Sequence, residues 1–281
     1  MLDSAHDVEV ALAKRDPQVI ASLMPKWEWF YDCYFRSRTD GWHHVPKQAL
    51  FVGSHNGGLA APDLLMLMVD WFRRFGYERP MYGLMHAKIW QVNSSFANLV
   101  GQCGAIPAQP KFAIAALQRG ANVLVFPGGA QDVFRPHRQR HQIQLMERKG
   151  FIKLALREKV PIVPIVSCGA HDTLIVLGDC YKQAQWLNQQ GLLPWFQDID
   201  PEVFPIYLGL PWGLAVGPLP HIPWPNQINT RVCAPITFEH TGRIAAQDQA
   251  YVQECYDQVI VQMQQNLDQL VAKMALQSAK K

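Results

Sequence analysis

The chain has 281 residues, 49% of them hydrophobic, and its 26 Lys and Arg against 23 Asp and Glu give a formal charge of +3. This length and apolar content suffice for a substantial core, which we interpret as a single domain spanning residues 1–281. The charge excess is too small to indicate a nucleic-acid surface, so no nucleic-acid partner is expected.

Cysteine usage and the N-terminal residues bear on location. The six cysteines, at 33, 103, 168, 180, 233 and 255, form no C-x-x-C pair and indicate neither a zinc ribbon nor a dithiol redox site. We therefore expect reduced thiols, a cytoplasmic location and no metal. Residues 1–15 lack the apolar region of a secretory signal, and no stretch approaches ~18 consecutive uncharged apolar residues, so no transmembrane helix is predicted.

Residues 1–46 form a predicted N-terminal helical segment that ends in aromatic residues. A short helix is expected over Asp7–Ala13 and a second over Gln18–Phe35. The C-terminal half of the second helix carries Trp27, Trp29, Phe30, Tyr31, Tyr34 and Phe35. Such residues pack on a core or sit in a lipid headgroup layer, and different faces of one helix could do both.

Residues 47–281 form the predicted core of the domain. Apolar strands are expected at Ala49–Val52, Met81–Leu84, Asn122–Phe126, Ile162–Val166 and Thr230–Phe238. Helices are expected at Leu64–Arg74, Ala87–Val100, Lys111–Gln118 and Phe151–Leu156, with a long C-terminal helix over Gln247–Met274. This alternation predicts an α/β fold in which helices cover a mostly parallel central sheet, with ligands at the carboxyl ends of the strands. The stretch Trp186–Trp224 shows no clean period and is expected to be irregular apolar structure.

The first chemical motif follows the strand at residues 49–52. His55 comes directly after this buried strand, Gly57 and Gly58 follow it, and Asp63 lies at the start of the next helix. An imidazole near its working pKa can take a proton from a hydroxyl, and a carboxylate on the other ring nitrogen would hold the tautomer. The two glycines would let the backbone approach a ligand closely.

A second motif follows the strand at residues 122–126. Gly128 and Gly129 expose backbone N–H groups that can bind an oxyanion or a polar head group. Asp132, Arg135 and Arg148 concentrate charge where the sheet opens, so all five residues are predicted to bind substrate.

The third motif is the strand Val160-Pro161-Ile162-Val163-Pro164-Ile165. Proline weakens a strand at the centre of a sheet, so this strand is expected at an edge or in the wall of the site.

The three motifs occur in the order and spacing of the glycerolipid acyltransferase superfamily, which the chain resembles from about Phe35 onwards. Within that superfamily, Phe126–Ala130, Arg148–Leu156 and Val163–Ile165 are most similar to the type-2 diacylglycerol acyltransferase-like branch. Pro211-Trp212-Gly213-Leu214 is similar to its bacterial relatives.

The resemblance implies transfer of a fatty acyl group from acyl-CoA or acyl-carrier protein to a lipid hydroxyl, at a membrane surface and without a metal or cofactor. His55 would be the general base and Asp63 its orienter. The family pattern places fewer residues between them than the seven found here, so the pairing requires residues 56–61 to fold back.

The resemblance also bears on the acceptor. Phosphate-acceptor members carry a glutamate where this chain has Gly128, which favours a neutral acceptor such as diacylglycerol, phytol or another long-chain alcohol, a sterol or a quinol. Arg135 and Arg148 keep a lysophosphatidic acid acceptor open, because guanidinium binds phosphate well. A catalytically silent lipid-binding protein and a thioesterase-like hydrolase also stay open, whereas the absence of a G-x-S-x-G elbow argues against a serine hydrolase.

Overall fold

Two β-sheets and the surrounding helices make up the structure, a computed structural model that describes residues 5–86, 90, 94–196 and 199–278. The strands are β1 Arg38–Asp40, β2 Leu50–Gly53, β3 Met81–Met85, β4 Ala105–Pro107, β5 Asn122–Val125, β6 Ile162–Cys168, β7 Ile175–Asp179, β8 Pro205–Gly209, β9 Gly213–Val216 and β10 Asn229–Val232. The helices are α1 Ala5–Ala13, α2 Pro17–Trp29, α3 Pro62–Phe75, α4 Ser94–Gln102, α5 Pro110–Gln118, α6 Gly129–Val133, α7 Gly150–Glu158, α8 Tyr181–Gln189, α9 Arg243–Gln247 and α10 Gln249–Ser278.

The larger sheet has seven strands in the order β1-β10-β6-β2-β5-β3-β4. Neighbouring strands run parallel throughout, except that β10 is antiparallel to β6. The predicted α/β fold with a mostly parallel central sheet is thus confirmed. Parallel strands need crossover connections, and the helices between them supply these and cover both faces.

Each central strand buries alternate residues in two separate cores. Leu50 and Val52 of β2 face a core built with α1, α5, α7 and α10, whereas Phe51 faces a core built with α2 and α3. A strand buried on both faces is apolar along its whole length, which explains why β2, β5 and β6 were recognisable as continuous hydrophobic runs.

The prediction that the proline-bearing strand lies at an edge is wrong, because β6 lies inside the sheet between β10 and β2. The carbonyl of Pro164 accepts a hydrogen bond from the backbone N–H of Cys233 at 2.9 Å, just past the end of β10. The N and C=O of one strand residue point to the same side of the strand. The missing N–H of Pro164 would therefore point towards β10 and not towards β2. The ladder to β2 therefore needs no donor from Pro164.

The stretch Trp186–Trp224 is more regular than predicted. It contains β8 and β9, which form an antiparallel three-stranded sheet with β7 in the order β7-β8-β9. Val176, Tyr207 and Ala215 of this small sheet bury their side chains against Val133 and Phe134. No single period runs through the stretch because residues 186–189 end α8, whereas residues 205–209 and 213–216 are short strands with proline or glycine at their ends.

The terminal segments agree with the predicted helices. The aromatic end of α2 continues as a π-helical turn over Phe30–Tyr34, in which Tyr31 is buried while Trp29 and Phe30 are exposed. Helix α10 packs its apolar stripe on the core, as predicted for the C-terminal helix. The helical region predicted around Ala87–Val100 lies partly outside the described residues. Within them, no helix is both long and apolar enough to cross a bilayer.

Candidate active site

His55 lies at the carboxyl end of β2, between the strands β5 and β6. Its imidazole stacks on the ring of Phe126, with ring centroids 4.5 Å apart and planes inclined by 28°. The Phe126 ring occupies space next to Gly53, where an added Cβ would lie 2.3 Å from a ring carbon. A side chain at Gly53 would therefore displace the ring that supports the imidazole.

The residues between His55 and Asp63 fold back on themselves. Gly57, Gly58 and Ala61 all have positive φ angles, of 82°, 66° and 42°, and Gly58–Ala60 forms a 3₁₀ turn. This turn brings a carboxylate oxygen of Asp63 within 3.4 Å of His55 Nδ1. The longer spacing noted in the sequence is accommodated by a left-handed loop, as the pairing required.

The Asp63 carboxylate is itself held in place. It is almost fully buried and accepts hydrogen bonds of 2.8 Å from the backbone N–H of Asn56 and of 2.8 Å from that of Leu64. The contact with His55, at 3.4 Å, is longer than an ideal hydrogen bond. Pairing of Nδ1 with Asp63 leaves Nε2 as the ring nitrogen that would take a proton.

The net effect of the site on His55 is a raised pKa. Burial is the largest influence and lowers the pKa, but the negative charges of Asp63 and Asp132 together outweigh it. The imidazole is therefore a stronger base than a free histidine, and its neutral form, which accepts protons, prevails above its raised pKa.

Asp132 and Arg135 form a buried ion pair beneath the His55 loop, with Oδ1 and Nη1 2.8 Å apart. Asp132 accepts hydrogen bonds from the backbone N–H of His55 at 2.5 Å and from Ser54 Oγ at 3.2 Å. Arg135 donates to the carbonyl of His55 at 2.8 Å and to the side-chain oxygen of Asn56. The pair thus holds the backbone of His55 through both its N–H and its C=O groups.

These contacts favour a positioning role for Asp132 and Arg135, whose direct contact with substrate stays a prediction. Burial raises the pKa of Asp132 to about 6, although the charge of Arg135 opposes that rise. Burial lowers the pKa of Arg135, and Asp132 acts in the opposite direction. Neither side chain is exposed in this structure, so a substrate could reach them only if the loop moved.

Gly57 and Gly58 pack against protein atoms. A Cβ at Gly57 would lie 2.8 Å from Thr173 Oγ1, and one at Gly58 would lie 2.5 Å from His221 Cε1. The absent side chains let the loop lie against the β6–β7 connection and His221, whose Nε2 is 3.1 Å from the carbonyl of Gly57. Direct approach of these glycines to a ligand stays a prediction.

Gly128 and Gly129 lie at the start of α6, beside the end of β2. A Cβ on Gly128 would lie 2.3 Å from the Cβ of Asp132 and 2.4 Å from the carbonyl oxygen of Gln144. Gly129 has a φ of +57°, and a Cβ there would lie 2.6 Å from Arg148 Nη1. Arg148 donates to the carbonyl of Pro127 at 3.2 Å while its side chain remains exposed.

Sequence reasoning assigned no catalytic or binding role to several residues that shape this site. Asn56, Phe126 and Ser54 contact His55 or its partners, and all three lie inside motifs that the sequence had singled out. His171 lies far from these motifs in sequence, and its Nε2 is 2.8 Å from the carbonyl of Arg135. Burial lowers the pKa of His171 to about 3, with the Arg135 charge acting in the same direction, so this residue is neutral.

Two further observations concern metals and thiols. Among the described residues, no group of three or more His, Cys, Asp or Glu side chains is placed to hold a metal ion. The cysteines at all six positions are unpaired.

Comparison with known proteins gives several relatives. The chain is 27% identical over 260 residues to an uncharacterized protein of Mycobacterium tuberculosis, covering 92% of this chain and 68% of the relative. It is 25% identical to 2-acylglycerol O-acyltransferase 1 of Mus musculus, covering 77% and 64% of the two chains. It is 26% identical to diacylglycerol O-acyltransferase 2 of Danio rerio, covering 75% and 58%.

Fold and family comparisons agree with each other. The crystal structure of the 1-acyl-sn-glycerophosphate acyltransferase PlsC from Thermotoga maritima superimposes with a TM-score of 0.50 at 12% identity, covering 91% of this chain and 80% of that one, which supports the fold. The sequence model of the family described as diacylglycerol acyltransferase matches residues 86–277. The chain therefore belongs to the diacylglycerol acyltransferase family, whose characterised relatives are O-acyltransferases, and is itself an acyltransferase.

Proposed function

We propose that this acyltransferase moves a fatty acyl group from acyl-CoA or acyl-carrier protein to the hydroxyl of a neutral lipid alcohol, with His55 as general base. The observation that carries the proposal is the 3.4 Å contact between His55 Nδ1 and Asp63 at the carboxyl end of β2. A carboxylate on Nδ1 directs Nε2 towards proton transfer, which the attack of an alcohol on a thioester requires.

In the proposed reaction, His55 Nε2 takes the proton of the acceptor hydroxyl as its oxygen attacks the thioester carbonyl. The tetrahedral intermediate collapses by breaking the C–S bond, and the imidazolium returns the proton to the leaving thiolate. The N–H of Gly129 donates to the carbonyl of Phe126 at 3.3 Å. Of the two glycines, we therefore assign Gly128 as the backbone donor to the oxyanion.

Two features support a neutral acceptor over a phosphorylated one. The guanidinium of Arg135 already donates hydrogen bonds to oxygens of the protein. The acceptors are oxygens of His55, Asn56, Asp132, Gln139 and Arg140. A phosphate would therefore have to displace these contacts to bind Arg135. A glutamate in place of Gly128 would also collide with Asp132 and Gln144 unless both moved. Arg148 is the exposed cation through which lysophosphatidic acid remains the alternative acceptor.

A silent lipid-binding protein and a thioesterase-like hydrolase differ from the proposed enzyme in what they consume. The long spacing between His55 and Asp63 keeps the silent protein as an alternative, and the 3.4 Å contact between the two side chains argues against it. It would bind lipid without consuming thioester. A thioesterase-like hydrolase would release free fatty acid when no acceptor alcohol is present.

We further propose that the protein works in the cytoplasm, bound peripherally at a membrane surface. Its proposed acceptor and product reside in lipid bilayers, and its cysteines are unpaired, as in a reducing compartment.

Purified protein incubated with labelled acyl-CoA or acyl-carrier protein and a panel of neutral and phosphorylated acceptors tests the proposal. We expect labelled ester from neutral alcohols, and we expect His55→Ala to lower kcat by about 10²- to 10⁴-fold, the usual contribution of a general base. His43→Ala is the matched control, because His43 is exposed in a 3₁₀ turn before β2. Full activity of His55→Ala would refute the mechanism.

A further inference from the structure

The outward face of the small sheet is apolar and exposed. The cross-strand register places Ile175, Leu208 and Leu214 in one row across the three strands. Leu177 and Val216 lie on the same side, and the exposed fractions are 58% for Leu177, 41% for Leu208, 66% for Leu214 and 48% for Val216. Single exposed apolar residues are ordinary, but a contiguous patch on one sheet face marks an interaction surface.

The opposite face of this sheet packs against the interior of the protein. Tyr207 and Ala215 pack on Val133 and Phe134, which follow Gly128 and Gly129 in the second motif. The sheet is therefore a layer whose inner side covers the site, and no described element covers its outer side.

The sequence of β8 and β9 and of the loops beside them carries no charge. From Val203 to Thr230 there is no Asp, Glu, Lys or Arg, so β8, β9 and their flanking loops are free of charged side chains. Trp212, Leu219 and Ile222 extend the exposed apolar surface beyond the strands. The indole N–H of Trp212 donates to the carbonyl of Pro220 at 2.6 Å, so this ring can enter an apolar layer with its donor satisfied.

The apolar face lies next to the loop between His55 and Asp63. His221, next to Ile222, contacts the carbonyl of Gly57, and Leu59 in the same loop is 54% exposed. On the other side, Tyr34 Oη donates to the carbonyl of Pro223 at 2.7 Å. This contact joins the face to the exposed aromatic rings at the end of α2, which include Trp29.

We propose that this face, defined by Leu177, Leu208, Trp212, Leu214 and Val216, docks the protein on a lipid bilayer. The inference rests on the proposed function in that the acceptor is a lipid, and it names the surface that reaches it. A bilayer is favoured over a protein partner because none of the five residues that define the face is charged, and the carboxylate of Asp179 at the end of β7 accepts hydrogen bonds from the backbone N–H groups of Tyr181 and Phe204. The outer strands β7 and β9 carry unpaired backbone groups that need water or headgroups, so the face rests in the interfacial layer and does not cross it.

The test measures flotation with phosphatidylcholine vesicles. The variant Leu177→Asp/Leu214→Asp changes the two outer strands, so the new carboxylates are not direct cross-strand neighbours. We expect its vesicle partition coefficient to fall by at least about tenfold, because two leucine side chains no longer leave water. The matched control is Ile244→Asp/Val261→Asp, which changes exposed apolar residues of α9 and α10 and should bind like wild type.

A measurement on the wild-type protein avoids any folding defect of a variant. Hydrogen exchange with and without phosphatidylcholine vesicles should show added protection over residues 205–216 and none over the middle of α10. Unchanged exchange in residues 205–216 of vesicle-bound protein would overturn the proposal. So would flotation of the face variant equal to wild type, or a wild-type dimer that becomes a monomer in that variant while neither form binds vesicles.

A further arm separates this inference from the proposed reaction. Transfer from labelled hexanoyl-CoA to dissolved hexanol should be equal in wild type and the face variant, while transfer to diacylglycerol in vesicles falls in the variant. If no acceptor is acylated but flotation still depends on the face, the proposed function fails and the docking surface stands. Loss of flotation only in Trp29→Ala/Phe30→Ala would assign docking to the aromatic segment and refute the proposal.

Discussion

Replacing Asp63 by asparagine tests whether this carboxylate tunes and orients His55. The asparagine would keep the size of the side chain and one of its two oxygens; Asp63 accepts from the N–H of Asn56 on Oδ2 and from that of Leu64 on Oδ1, so one of these two hydrogen bonds would be lost. It would remove the negative charge next to His55 Nδ1. The pKa of His55 is raised by Asp63 and Asp132 against the effect of burial, so the variant should lower it.

The strength of the effect follows from the separation of 3.4 Å between His55 Nδ1 and the Asp63 carboxylate. Two unit charges about 4 Å apart attract by about 4 kcal/mol at an effective dielectric constant of about 20, so this carboxylate strongly favours the imidazolium. Without it, the pKa of His55 should fall, because less charge then opposes the effect of burial. Loss of the held tautomer should also lower kcat by about 10²-fold or more.

The assay is kcat/KM as a function of pH with a soluble acceptor. His55 must be neutral to act as base, so activity rises with pH through its pKa, which in the wild type lies above the ordinary 6.5. In Asp63→Asn the rising limb should move to lower pH, so the defect should be larger at pH 8 than at pH 6. An unmoved limb, with melting behaviour unchanged, would refute the assignment of Asp63 as partner of His55.

Two further predictions concern stability. Arg135→Met leaves the buried carboxylate of Asp132 without its partner and should lower the free energy of unfolding, measured in urea, by about 3–5 kcal/mol. The double variant Asp132→Leu/Arg135→Met should recover part of this loss. If the losses of the two single variants simply add in the double variant, the two residues are not coupled. Gly128→Ala places a methyl group 2.4 Å from the carbonyl oxygen of Gln144 and should lower the free energy of unfolding by about 1–3 kcal/mol. The control is Gly150→Ala, which has open space at its Cβ and should not destabilise the protein. Equal melting temperatures of the two variants would contradict the predicted collision at Gly128.

The sequence was informative where burial on both faces leaves a continuous apolar run. Strands β2, β3, β5 and β6 and helices α3, α5 and α10 were all predicted near their observed bounds, since hydrophobic periodicity directly reports which faces are buried. The sequence was misleading in the small sheet, where short strands separated by prolines and glycines gave no period. The edge position predicted for β6 was wrong, because a proline weakens strand pairing only on the side towards which its missing N–H would point.

The motifs around His55 could be read in sequence, but not the division of labour among their residues. Asp132 and Arg135 were predicted to bind substrate from their charge, and the structure shows them buried under the loop with their polar atoms bound to protein. Gly57 and Gly58 were predicted to admit a ligand, and they lie against Thr173 and His221. Charge and size are sequence properties, whereas exposure depends on what packs above a residue.

The sequence by itself determined the α/β class, the strand that delivers His55 and the family to which the chain belongs, because local apolar patterns and short motifs encode these. Only the tertiary structure decided that Asp63 reaches His55, since the seven intervening residues close that distance through a left-handed loop that spacing alone does not reveal. It also decided which face of the small sheet is covered, because β7 pairs with β8 from a distant part of the sequence and the inner face packs on Val133 and Phe134. Contacts between distant residues leave no local pattern to detect.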